Sequence, residues 1–267
     1  MIAWASYPYA GTVVLVTGAG TGIGRGIAQA FLEQGASVAL IGRTASTLSE
    51  AASGFDPDRV LILERDLTDA AAAAAVVAAV IERFDRLDVV VAAAGTSEAS
   101  PIDTFEDAAW ERLRTINVDA VIRLARASVP ELRRTRGNIV AISSVAGIRG
   151  EDGMFAYGAT KAAVNVLVQA LALDLGADGV RVNAIAPAFT VSRLTQERLD
   201  DREFLDRLVN RVALGRIAEP ADIARAVLFV ASPDAGYITG AVIPVDGGTS
   251  ASNGTPRPLR TTPEGTS

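Results

Sequence analysis

Residues 12–17 are a short run rich in β-branched side chains that breaks into Gly18-Ala19-Gly20-Thr21-Gly22-Ile23-Gly24, after which a helical pattern runs to Gln34. An apolar β-branched run that ends at glycines is read as a buried strand. The glycines let backbone N–H groups approach an anionic ligand at the N-terminus of the following helix, where the helix dipole favours negative charge. A strand, a glycine turn and a helix in that order are the start of a parallel, dinucleotide-binding sheet, with the pyrophosphate resting on the turn. The spacing is not the usual G-x-G-x-x-G, because Ile23 stands where the third glycine would be; the informative positions are Gly18, Gly22 and Gly24. A tight turn with no ligand is the competing reading, and the density of glycine weighs against it.

The same alternation continues down the chain. Short apolar runs at 37–41, 60–63, 88–92, 138–142, 180–185 and 241–245 are separated by helical stretches. One of these is an alanine-rich segment that Thr68 or Asp69 can cap. Others are a long stretch over 105–134 containing Asn117, a helix beginning near Met154 and running toward Leu175, a charged amphipathic stretch over 192–212, and 220–231 with proline at its start. Strands alternating with helices, with no linker between them, predict an α/β fold. The expected architecture is a Rossmann-type doubly wound parallel sheet of about seven strands, helices on both faces, in a single domain over 11–249. Residues 1–10 form an N-terminal extension, and 250–267, rich in Thr, Pro, Gly and Ser, a flexible tail.

Composition narrows the chemistry. The 267 residues include no histidine and no cysteine. That removes Ser-His-Asp catalysis, thiolate chemistry and disulfides, and no metal site is expected. Acid–base work falls to Tyr, Lys, Asp or Glu. The net charge of −6 argues against nucleic acid as a partner. The longest apolar run, 70–81, is too short to span a bilayer, and 1–10 has neither the basic flank nor the apolar centre of a signal peptide. The expectation is a cytoplasmic protein with no membrane partner.

Against that background one pair stands out. Tyr157 and Lys161 are four residues apart on an expected helix, so both side chains lie on one face. Of the 25 basic residues 24 are arginine, and Lys161 is the only lysine. A position that resists so strong a bias needs what arginine lacks, a compact and tunable point charge. A cation beside a phenol favours the phenolate and is expected to lower the tyrosine pKa from about 10, making it a proton donor and acceptor near neutrality. The plainer alternative is a surface lysine near a half-buried tyrosine.

The end of the second strand carries Gly42-Arg43-Thr44, where a carboxylate that binds the ribose 2′-hydroxyl of NAD is expected in the fingerprint. With no carboxylate to repel a 2′-phosphate and Arg43 able to pair with it, NADP(H) is favoured and NAD(H) stays possible. Arg43 as a solvated surface arginine is the alternative.

In these stretches the chain resembles the short-chain dehydrogenase/reductase family, particularly members like the 3-oxoacyl reductases, from about Gly11 to Thr249. The resemblance rests on Thr17-Gly18-x-x-x-Gly22-Ile23-Gly24, Asp66-Leu67, Asn117-Val118, Ile142-Ser143-Ser144 with Tyr157-x-x-x-Lys161, Pro187, and Val245-Asp246-Gly247-Gly248, in the family's order. Ser144 stands 13 residues before Tyr157, as in the family. The resemblance implies four catalytic residues. Tyr157 is the general acid in reduction and base in oxidation. Lys161 lowers its pKa and holds the nicotinamide ribose. Ser144 polarises the substrate carbonyl, and Asn117 holds a water that relays protons from behind the lysine. It also implies a cofactor held by Gly18, Gly20, Thr21, Gly22, Ile23, Gly24, Arg43, Thr44, Asp66, Leu67, Ala94, Gly95, Tyr157, Lys161, Pro187 and Thr190 or Ser192.

There are departures from the family pattern. Ala92-Ala93-Ala94-Gly95 replaces Asn-Asn-Ala-Gly, which removes side-chain hydrogen bonds that brace the sheet, and Pro187-Ala188 replaces Pro-Gly. The family threonine that meets the carboxamide appears as Ser192, with Thr190 close by.

The implied activity is reversible reduction of a ketone or 3-oxoacyl carbonyl to a secondary alcohol, with hydride from the nicotinamide and a proton from Tyr157. The alternatives are an NAD-dependent secondary-alcohol or sugar-alcohol dehydrogenase and a dinucleotide-binding sensor without turnover. The substrate is expected between 96–102, 145–155 and 190–212. The resemblance also implies a homo-oligomer, a tetramer or else a dimer, paired through the helix containing Asn117 and the helix after Tyr157; the latter carries an apolar face too wide for one side of a sheet, Ala162, Val164, Val166, Leu167, Leu171 and Leu173.

Overall fold

The computed structural model describes residues 5–192, 195–252 and 255. Seven strands form one parallel sheet in the order β3-β2-β1-β4-β5-β6-β7. They are β1 (Val13–Thr17), β2 (Ser37–Gly42), β3 (Val60–Glu64), β4 (Val89–Ala92), β5 (Asn138–Ile142), β6 (Arg181–Pro187) and β7 (Val242–Val245). Between them lie α1 (Gly22–Glu33), α2 (Ala45–Ala52), α3 (Ala72–Phe84), α4 (Asp107–Arg114), α5 (Ala120–Thr135), α6 (Phe155–Leu175), α7 (Gln196–Leu199), α8 (Arg202–Arg211) and α9 (Pro220–Ala231). The strand order reverses direction between β1 and β4, which opens a crevice at their carboxyl ends.

The central strands are apolar throughout because both faces are covered. Along β1, Val13 and Leu15 enter the core shared with α3, α5 and α6, whereas Val14 and Val16 enter the core shared with α1 and α9. The alternation of successive side chains therefore distributes one strand between two hydrophobic layers. Residues before β1 join the second layer. Tyr9 is buried, its ring meets Phe31 edge-on at 4.8 Å, and its hydroxyl donates to the Leu228 carbonyl. Residues 1–4 of the expected N-terminal extension, and the expected tail at 253–254 and from 256 on, lie outside the described residues.

Two helical stretches gain detail and one cap is corrected. The stretch over 105–134 is helical with a π-helical turn, Thr115–Asp119, between α4 and α5, where the Ala120 N–H reaches back five residues to the Thr115 carbonyl. The stretch over 192–212 contains two helices, because the Asp201 carboxylate accepts the Phe204 N–H at 3.0 Å and caps a new one. Neither Thr68 nor Asp69 caps α3, whose cap position is Ala71. Asp69 accepts the Ala71 N–H at 2.9 Å, and the Thr68 hydroxyl donates to Asp66 at 2.8 Å, so both side chains close the preceding turn instead. Among the described residues no helix is long and apolar enough to cross a membrane.

Candidate active site

The crevice at the carboxyl ends of the strands is a cleft of about 1060 Å³. Its floor is the turn between β1 and α1. Gly18 (φ +66°) and Gly22 (φ +53°) hold left-handed backbone there. A Cβ on Gly24 would stand 2.2 Å from the Gly18 carbonyl oxygen, and one on Gly20 would stand 2.4 Å from Thr47 Oγ1. The absent side chains leave a shallow cradle of backbone at the start of α1, shaped for a pyrophosphate. Of the residues expected to hold the cofactor, Gly18, Gly20, Thr21, Gly22, Ile23, Gly24, Arg43, Thr44, Asp66, Leu67, Ala94, Gly95 and Ser192 all line this cleft.

The brace expected to be lost with Ala92-Ala93-Ala94 is supplied from β1. Thr17 Oγ1 accepts the N–H groups of Ala93 and Ala94 at 3.0 and 2.9 Å. One buried hydroxyl thus holds the β4 exit against the glycine turn, a role that its place in an apolar run conceals.

At the far end of the cleft β2 and β3 leave the sheet side by side, with Gly42 in register with Glu64. Arg43 and Arg65 each follow by one residue and both line the cleft, as do Thr44 and Thr47. The Arg65 N–H donates to the Gly42 carbonyl at 2.8 Å. Asp66 is held below the usual carboxylate range, first by the Thr68 N–H and also by Arg43. Glu64, the last residue of β3, accepts the Ala45 N–H at 3.2 Å and so caps the start of α2. Arg65 and Thr47 were not anticipated; Arg65 comes beside Arg43 through the β2–β3 register, which local sequence does not display, and Thr47 through the turn into α2.

At the near end, Gly95 joins the cleft to the catalytic group. A Cβ there would lie 3.1 Å from Asn117 Oδ1 and 3.5 Å from Lys161 Nζ. Tyr157 and Lys161 sit on the first turns of α6, with Nζ 5.8 Å from the phenol ring centre. Lys161 is buried, and Nζ donates to the Ile142 carbonyl at 2.9 Å at the end of β5. Ser144, two residues on, is hydrogen-bonded to Tyr157 and accepts the Ala146 N–H at 3.1 Å. Ser143 donates to Asn165 Oδ1 at 2.6 Å, pinning this strand end to α6. The structure therefore brings Ser144, Tyr157, Lys161 and Asn117 together.

One expectation is corrected here, and Asn117 has partners of its own in the protein. The Tyr157 pKa is raised, not lowered: burial is the largest cause, the Ser144 hydrogen bond opposes it, and the negative charge of Glu151 adds to it. Lys161 is itself pushed down to about 8 by burial. The side chain of Asn117 is taken up by protein groups. Its Oδ1 accepts the Thr96 N–H at 2.9 Å, and its Nδ2 donates to Thr96 O at 2.9 Å and to Thr160 Oγ1 at 3.1 Å. It clamps the loop after β4 onto α6, from within the π-helical turn. Such turns displace backbone groups from the regular ladder and recur at functional sites. Of the two hydroxyls considered for the carboxamide, Ser192 faces Gly22 and lines the cleft, whereas Thr190 is buried and donates to the Ala188 carbonyl at 2.9 Å. Pro187 is buried at the end of β6 and does not line the cleft.

Known proteins of similar sequence share this fold. A family model described as enoyl-(acyl carrier protein) reductase matches residues 18–250. Meso-2,3-butanediol dehydrogenase of Serratia marcescens is 36% identical over 245 residues, covering 92% of this chain and 97% of that protein. A short-chain dehydrogenase/reductase of Brucella melitensis, titled glucose/ribitol dehydrogenase, superposes with a TM-score of 0.88 at 33% identity, covering 92% of this chain and 99% of that one. RhlG of Pseudomonas aeruginosa, solved as an active-site complex with NADP, superposes with a TM-score of 0.86 at 34% identity, covering 91% and 99%.

Proposed function

The chain belongs to the short-chain dehydrogenase/reductase family and is an oxidoreductase acting on CH–OH groups; on that premise we propose that it uses NADP(H) to reduce a ketone or 3-oxoacyl carbonyl to a secondary alcohol, reversibly, in the cytoplasm. The observation that carries the reading is continuity. One cleft runs from a glycine cradle to Gly95, where it meets Lys161 and Asn117 beside Tyr157 and Ser144. The bound cofactor supplies or accepts the hydride, and the protein supplies position and a proton. The glycine turn would hold its pyrophosphate, Asp66 and Leu67 its adenosine, and Ser192 its nicotinamide side. Ser144 and Tyr157 orient the substrate carbonyl by hydrogen bonds, and the Tyr157 hydroxyl gives its proton to the carbonyl oxygen. Lys161 places a cation beside that phenol and favours the phenolate left behind.

NADP(H) is favoured over NAD(H) because glycine stands at position 42, where an added Cβ would lie 3.2 Å from Leu48 Cδ2, and because an arginine follows each of the adjacent strands β2 and β3. The expected result for Arg43→Ala is a fall in kcat/KM for NADPH of about tenfold to a hundredfold, the worth of a charge-assisted contact of ~1.5–3 kcal/mol. The value for NADH should stay within about twofold. Steady-state kinetics with both cofactors checks this. A wild-type preference for NADH would transfer the reading to an NAD-dependent secondary-alcohol or sugar-alcohol dehydrogenase.

Assembly is part of the same proposal. Val166 and Leu173 on α6 are 64% and 85% exposed, and Ile122 on α5 is 43% exposed. These apolar side chains face outward from the same pair of long helices. We expect pairing through α5 and α6 into a tetramer, with a dimer second. A monomeric mass in light scattering at micromolar concentration would reject both.

A further inference from the structure

A third polar residue follows Tyr157 and Lys161 on α6 at the same spacing. Asn165 stands one turn beyond Lys161, on the same face of the helix. It is buried, and the other inward residues of this stretch, Val164, Val168 and Ala172, are apolar. Asparagine is a poor helix former, and a buried amide costs free energy unless its groups are bonded. An apolar side chain would suit both the helix and the core better. The amide is explained by what it holds.

It holds the segment that carries Ser144. Asn165 Oδ1 accepts the Ser143 hydroxyl at 2.6 Å, and Nδ2 donates to the Gly147 carbonyl at 3.0 Å. A carbonyl can only accept, so Nδ2 must face Gly147 and Oδ1 must face Ser143. These two contacts bracket Ser144 and the short turn Val145–Gly147 that follows it. Upstream, Lys161 Nζ donates to the Ile142 carbonyl at 2.9 Å, and the Ser143 N–H donates to the Ile185 carbonyl of β6 at 2.8 Å. The turn also lies directly on α6. A Cβ on Gly147 would stand 2.7 Å from the Lys161 carbonyl carbon, and one on Gly158 would stand 2.8 Å from the Ala146 carbonyl oxygen. Packed backbones set a separation but not a position along the helix. Two hydrogen bonds from one side chain, one at each end of the segment, set that position.

Ser144 and Tyr157 must reach the same carbonyl oxygen, yet one follows β5 and the other rides on α6. Their relative placement depends on the register between these two elements. Displacing a reacting group by about 1 Å can cost about 10²-fold in rate. We propose that Asn165 is a positioning residue for the reaction: through Ser143 and Gly147 it sets where Ser144 stands relative to Tyr157, while touching neither substrate nor cofactor. This rests on the carbonyl-reductase reading above.

The test uses the full chain, with ethyl 3-oxobutanoate and 2-butanone as carbonyl probes and NADPH and NADH in turn. Asn165→Ala should lower kcat by about tenfold to a hundredfold. Its cofactor Kd, by fluorescence titration, should stay within about twofold of wild type, because Asn165 does not line the cleft. A double-mutant cycle separates positioning from mere stability. Ser144→Ala combined with Asn165→Ala should be no more than about twofold slower than Ser144→Ala alone, because the amide acts through a hydroxyl already removed. Val168→Ala truncates a buried apolar residue of the same helix, so it should lower Tm and leave kcat within about twofold. Ser143→Ala deletes one of the two bonds and should cost about threefold to tenfold in kcat, with the same coupling to Ser144. It carries the cycle if Asn165→Ala does not fold. Unchanged kcat in the variant that carries the cycle, or losses that multiply when it is combined with Ser144→Ala, overturns the proposal and leaves the reductase reading standing. No turnover of either probe by the wild type with either cofactor overturns both.

Discussion

Tyr157→Phe should lower kcat by about 10²- to 10⁴-fold in both directions, the usual worth of a positioned proton donor. Cofactor affinity should stay within a fewfold of wild type, because the cradle and Ser192 lie elsewhere along the cleft. The fold should also be kept. The ring stays in place, and the hydroxyl's partner Ser144 retains its bond from the Ala146 N–H. Fluorescence titration with NADPH and steady-state kinetics on the same preparation separate binding from turnover. Full turnover in the variant would remove Tyr157 from the reaction, whereas NADPH binding with no turnover in the wild type would pass weight to a dinucleotide sensor. The pH dependence has a defined sign. Alcohol oxidation needs the phenolate, so its rate rises with pH toward a tyrosine whose pKa burial has raised. Carbonyl reduction needs the phenol and falls over the same range. In the variant both dependences should flatten.

The sheet was legible because each strand is a short apolar run and the helices between them carry their own punctuation. The boundaries of β2, β5 and β6 fall within about a residue or two of expectation. The catalytic face was legible for a different reason: positions four apart on one helix need no tertiary information, and a lone lysine among 24 arginines is a compositional anomaly. What was not legible depends on distance in the chain. Arg65 reaches Arg43 only through the β2–β3 register. Thr17 looks like any β-branched strand residue until its hydroxyl meets Ala93 and Ala94. The π-helical turn adds one residue to a helix without disturbing its composition. The direction of the Tyr157 shift reversed because a neighbouring cation can be named from sequence, whereas the burial that outweighs it cannot.

Gly24→Ala tests the other half of the site. The added Cβ would lie 2.2 Å from the Gly18 carbonyl oxygen and 3.2 Å from that of Thr17. Both obstacles are backbone, so no side-chain rotation relieves them, and α1 must tilt away from β1 or the turn must open. Either movement withdraws the first N–H groups of α1 from the place where a pyrophosphate would lie. Overpacking of this kind costs about 1–3 kcal/mol, which in a chain of this size lowers Tm by roughly 2–12 °C. Loss of several aligned backbone donors should raise the cofactor Kd by about a hundredfold or more. The two effects separate by experiment, since a thermal melt reports the first and a fluorescence titration below the transition reports the second. Gly150→Ala is the matched control. It has ordinary negative-φ backbone with nothing within 4 Å of the added methyl, so its stability and affinity should not move. If Gly24→Ala melts lower but binds NADPH as the wild type does, the turn is a structural corner only, and the cofactor is held from the β2 and β4 sides of the cleft. If it loses affinity far beyond what its melt explains, the absence of a side chain at Gly24 belongs to the binding site.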